Sequence, residues 1–171
     1  MKAQTQSLAL PLQSYKTYVW AAVFVAGNIV LPQLCHTVGL GGKAFLPILF
    51  FTLIAAARYG WACGLLTAIA SPLINHLLFG MPAADMLAVI LVKSVVLAAV
   101  VGIAMYKTGK LSLVNGLIAI AAYQLAGMGL FAALTGSWSA AWADVTVSWP
   151  AMLIQIVAVL ALLQLRARQK A

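Results

Sequence analysis

The stretch Ala84–Lys110, reading ADMLAVILVKSVVLAAVVGIAMYKTGK, decides the fold. Between Met86 and Tyr106 it is apolar apart from Lys93 and its neighbour Ser94, and it closes on Lys107 and Lys110. A run of that length, at about 1.5 Å per residue, crosses the ~30 Å hydrocarbon core of a bilayer as a single α-helix. Working outward, apolar runs punctuated by polar residues, glycine or proline predict six helices in all, at 17–34, 44–57, 61–79, 84–106, 111–134 and 148–165. The second is short: its fourteen residues reach only about 21 Å. It therefore includes flanking residues, lies in a thinned region or starts below the surface.

Composition points the same way. Of 171 residues, 65% are hydrophobic and 7% charged, where a soluble domain carries roughly 25% charged residues. The expected fold is all-α, one integral membrane domain over 1–171. It comprises an N-terminal segment over 1–16 at the cytoplasmic interface, a six-helix bundle over 17–165 and a basic cytoplasmic tail over 166–171. The first apolar run lacks a small-residue cleavage site and reads as a retained helix. The formal charge of +8 sits at the ends of apolar runs, where it reports orientation and gives no footing for nucleic acid.

Lys and Arg are retained on the cytoplasmic side of a membrane. With the N-terminus inside, Lys2, Lys16, Arg58, Lys107, Lys110, Arg166, Arg168 and Lys170 are cytoplasmic and only Lys43 lies in an outer loop. That eight-to-one asymmetry predicts both termini in the cytoplasm. The two acids, Asp85 and Asp144, then fall at the outer face, Asp85 near the start of the fourth span and Asp144 in the loop before the sixth. Trp138, Trp142 and Trp149 gather in the same outer region, as an interfacial belt or as stacking partners for a solute.

Lys93 lies about nine residues into its span, near mid-membrane, where a lysine costs about 2.5–3.5 kcal/mol on insertion scales. It should face the bundle interior and have a partner. Counting residues from the outer ends places Gln124 and Gln155 roughly 10–15 Å deep, and Asn28, Asn75 and His76 in the same outer half. One reading is a polar cavity opening outward, with Lys93, Gln124, Gln155, Asn75, His76, Asn28, Trp138 and Trp142 in contact with a small solute that is neutral or anionic. The other is interhelical glue, at about 0.6 kcal/mol for each hydrogen bond.

The first outer loop holds Cys35 and His36, then Gly39, Gly41 and Gly42, a backbone permissive enough to close as a lid. Two ligands are too few for a closed metal site, so neither a metal nor another cofactor is expected. No enzyme is expected: there is no phosphate-binding loop, both acids lie near the surface, and Cys35 beside His36 lacks a third group to orient the imidazole. Ala22 and Ala26, four apart in the first helix, would let another helix approach closely.

The segment from Ala44 to Pro82 resembles the substrate-binding S component of energy-coupling factor (ECF) transporters. The likeness rests on Leu46-Pro47, the turn Arg58-Tyr59-Gly60, Gly64, Ser71-Pro72-Leu73 and Gly80-Met81-Pro82. It implies a subunit of the bacterial cytoplasmic (inner) membrane that captures a vitamin or related micronutrient from outside, between the outer loops and the last three helices. It also implies docking through Ala22 and Ala26 onto a transmembrane coupling subunit driven by two ATPases. No histidine follows the first methionine, unlike the nickel and cobalt branch, and Lys93 disfavours a strongly cationic ligand. Two alternatives remain: a scaffolding membrane protein without a ligand, and a solitary importer holding a corrinoid through Cys35 or His36.

Overall fold

The computed structural model of the chain describes residues 9–37, 47–109 and 111–168. It is all helical over those residues: α1 (Tyr15–Thr37), a single 3-10 turn (Pro47–Leu49), α2 (Phe50–Tyr59), α3 (Trp61–Phe79), α4 (Ala84–Thr108), α5 (Leu113–Thr135), α6 (Trp138–Val147) and α7 (Trp149–Arg168). Four helices, α1, α3, α4 and α5, are long and apolar enough to cross a membrane, and α6 with α7 makes a fifth candidate if that bent pair is one span. The chain is a multi-pass membrane protein.

Each of the six predicted apolar segments contains a helix, with two differences. The second segment forms only the ten-residue α2, about 15 Å long and too short to cross alone. The predicted outer loop before the last span is α6, joined to α7 at a 48° bend.

Gly80, Gly109 and Gly136 close α3, α4 and α5 in the left-handed conformation, each returning its N–H to the carbonyl four residues back. Ser112 and Ser137 then cap the next helices, their hydroxyls accepting from the N–H of Asn115 and Ala140. The Gly136-Ser137 pair thus ends α5 and starts α6 without a loop between them. The later bend has its cause in Pro150, which has no N–H for the carbonyl of Thr146 and whose ring crowds it.

The α2–α3 junction is tighter still. Gly60 holds φ 88° and ψ −179°, a region essentially reserved for glycine. A Cβ on Gly64 would sit 2.6 Å from that of Ala56, so the two helices meet almost backbone to backbone. The segment before α1 folds under this turn, with Leu10 donating its N–H to the Tyr59 carbonyl at 2.9 Å. Lys16, Arg58 and Lys107 consequently share one end of the bundle, and Asp85 lies at the other.

How α2 can begin among apolar helices is answered by Asn28 of α1. The first turn of a helix leaves N–H groups without intrahelical partners, and Asn28 Oδ1 accepts one of them, from Phe51, at 3.1 Å. Its amide nitrogen donates to Thr52 Oγ1 at 3.1 Å and to Ser71 Oγ at 3.0 Å, so one buried side chain ties α1, α2 and α3. Replacing Asn28 by leucine should orphan the Phe51 N–H and take the Asn28 bond from the Ser71 hydroxyl, leaving Thr52 its bond to the Ile48 carbonyl, and lower stability by about 1–3 kcal/mol for each group left unsatisfied. Unfolding of the purified variant in mixed micelles, compared with wild type, measures this; an unchanged midpoint would show that α2 is held by packing alone.

Candidate functional site

Lys93 lies nine residues along α4, about 13 Å from its start, and is fully buried. Its ammonium donates to Asp144 Oδ2 at 2.6 Å, an ion pair whose acidic side chain is 15% exposed. The lysine stem lies flat across α5 at Gly127, where an added Cβ would come within 2.6 Å of Lys93 Cγ and closer still to Cε. Glycine here is a matter of space: any side chain would displace the lysine. The pair therefore joins α4 to α6 over a notch in α5.

Asp144 does not sit at the rim of the bundle, as expected from its place in a supposed loop. It is the seventh residue of α6, which runs from the α5 end back down along α5. Ala141, Asp144, Val145 and Ser148 recur at helical spacing on the inward face, whereas Trp138 and Trp142 point away, 68% and 61% exposed. These two indoles make no wall for the Lys93 site.

One turn deeper, Gln124 Nε2 donates to Ser148 Oγ at 2.8 Å, and that hydroxyl donates in turn to the Val145 carbonyl at 3.0 Å. Ser148 has a single hydrogen, committed to Val145, so Gln124 must present its nitrogen to Ser148 and leave Oε1 free. That oxygen is buried without a partner, as is Ser94 Oγ, while the buried Tyr123 hydroxyl and Gln155 amide face each other. Gln155 follows Ser148 by two turns, about 10 Å further from the α6 start. The level shared by Lys93, Gln124 and Gln155 in the sequence reading is thus a graded series. It arises because α6 already carries the chain down beside α5 before α7 begins at Trp149.

The other candidates fall elsewhere. Asn28 has both amide hydrogens committed to Thr52 and Ser71. His76 shares a hydrogen on Nδ1 with the Pro82 carbonyl at 2.7 Å, fastening the Gly80–Ala83 turn to α3, and Asn75 beside it is buried with Oδ1 unpartnered. Cys35 and His36 belong to the last turn of α1, and Gly41 and Gly42, the rest of the expected lid, lie outside the described residues. Ala22 and Ala26 are exposed on α1, between Tyr18 and Val30 on the same face.

Two participants escaped the sequence reading, Gly127 and the true position of Asp144. The second had a signal: Gly136-Ser137 is a stop followed by a cap, and Pro150 marks a break, so 138–147 reads as a helix once these are paired. Gly127 had none, because nothing local distinguishes it from other glycines in an apolar helix.

Comparison with protein-family models, curated proteins and solved structures returns no match.

Removing one partner of a buried ion pair costs about 3–5 kcal/mol, because the other charge is left uncompensated. The two sides here are unequal. Asp144→Asn strands a fully buried ammonium, while Lys93→Met leaves a carboxylate that water can partly reach. Asp144→Asn should therefore destabilise more than Lys93→Met, and the double variant should recover most of the loss. A double-mutant cycle on unfolding midpoints reads this; additive losses would mean that the two groups are not coupled.

Proposed function

We propose that this chain is the solute-binding subunit of an ECF-type importer in a bacterial cytoplasmic membrane, capturing a vitamin or related micronutrient at the outer face. Its six apolar segments carry both termini in the cytoplasm. The observation that carries the reading is the Lys93–Asp144 pair together with the partnerless polar atoms Ser94 Oγ and Gln124 Oε1 beside it. Native proteins leave few buried polar groups unsatisfied, and intramembrane ionisable groups are by default functional. Glue between helices would use these groups up, as Asn28 does. A solute entering between α4, α5 and the α6–α7 pair would complete them.

In this conformation Lys93, Gln124 and Gln155 are 0%, 6% and 2% exposed, so capture requires α6 to move. The resemblance over 44–82 and the outward-facing Ala22 and Ala26 support the same assignment, including a coupling subunit with two ATPases as partners.

Mass spectrometry of protein purified in mild detergent should find one small organic solute bound near one to one, and lost in Lys93→Met. A solute-free preparation, with folding and stability unaltered in the Lys93→Met, Asp144→Asn double variant, would favour a scaffold. Bulky residues at Ala22 or Ala26 should abolish uptake by cells while solute stays bound to the purified protein; parallel loss of both would remove the docking role. A cysteine at position 58 should react with membrane-impermeant maleimide only after the cells are opened, and labelling in intact cells would overturn the orientation.

A further inference from the structure

We infer that the Lys93 ammonium is the receptor for a carboxylate on the captured solute, and that Asp144 is an internal carboxylate holding that position until the solute displaces it. The inference rests on the solute-binding reading above and narrows its substrate to acids.

Which ion must find a new partner when the pair opens follows from burial and anchoring. Lys93 is on the long helix α4, fully buried, with its stem pressed against Gly127. It cannot follow Asp144 toward water. Asp144 is already 15% exposed and belongs to α6, a ten-residue helix whose one buried residue in the fold is Ala141. Its tether to α4 is the ion pair, and its base is a proline-marked bend. A small rotation of α6 hydrates the carboxylate and strands the ammonium. An uncompensated charge at that depth is strongly unfavourable, so the incoming group must be an anion. Its size and hydrogen bonding are those of the carboxylate it replaces.

The surrounding groups add a second requirement. Gln124 Oε1 is fixed as the free end of its amide by the Ser148 bonds, and an oxygen can only accept. It lies three residues below Gly127 on α5, roughly 5 Å from the lysine level. The solute should therefore carry an N–H or O–H about one helical turn from its carboxylate.

Chemical rescue tests the carboxylate position without knowledge of the solute. Asp144→Ala, reconstituted in nanodiscs, is titrated with sodium acetate against sodium chloride at equal ionic strength and against acetamide, reading the unfolding midpoint. Acetate should raise the midpoint of Asp144→Ala saturably, at concentrations at least tenfold below any effect on wild type. Acetamide should do nothing, and Lys93→Met with Asp144→Ala should not respond. Should Asp144→Ala fail to fold, Asp144→Asn takes its place, with the same expectation and a smaller shift. A folded variant indifferent to acetate overturns the inference, as does equal rescue when Lys93 is absent, or a co-purified solute without an acidic group. Failure of the parent reading looks different: no solute co-purifies, whatever acetate does.

Discussion

In hydrocarbon a backbone N–H or C=O has no water to fall back on, and each one left unsatisfied costs several kcal/mol. Where helices start, stop or break inside this bundle, a specific group answers that demand. The N–H of Phe51 at the head of α2 goes to Asn28 on another helix. At the α6–α7 break, Ser148 supplies its own N–H to the carbonyls of Asp144 and Val145 and its hydroxyl to Val145 as well. The left-handed glycines at 80, 109 and 136 do the same for α3, α4 and α5. The irregular places in this membrane protein are accordingly its polar places, and the site grows at one of them.

That connection runs in one direction, from local chain chemistry to charge. Gly136 and Ser137 turn the chain sharply, so residues that would otherwise loop outward coil into α6. The helix places Asp144 beside Lys93. Pro150 then bends the chain, which brings Ser148 against Gln124 and fixes which end of that amide is free. None of these residues is chemically unusual. Their sequence separation is what assembles a cation, an anion and an oriented amide oxygen within a few turns.

Much of this was legible in the amino-acid order, and what was not failed for definite reasons. Uninterrupted apolar runs placed α3, α4 and α5 within about two residues of their ends, because long runs bounded by glycine or cations have few alternatives. Lys93 announced itself by the cost of its charge. Residues 138–147 are too mixed in character to stand out as an apolar run, which hides α6 and with it the descent of the chain before Gln155. The partnership with Asp144 was missed for the same reason: a carboxylate assigned to the rim cannot reach mid-helix. Gly127 was invisible since its role is defined by a side chain on a different helix. Asn28 looked like a pocket residue, and only three-dimensional neighbours reveal that its hydrogens are committed.

The pairing of Lys93 with Asp144 also has an electrical consequence. A unit charge carried across a full membrane potential of 100 mV gains or loses about 2.3 kcal/mol, and a lone ammonium part-way through the bilayer would feel a share of it. Joined to a carboxylate 2.6 Å away, it forms a compact dipole on which voltage has little purchase. The bundle can thus keep a lysine paired deep between its helices without its resting shape being set by the voltage across the membrane.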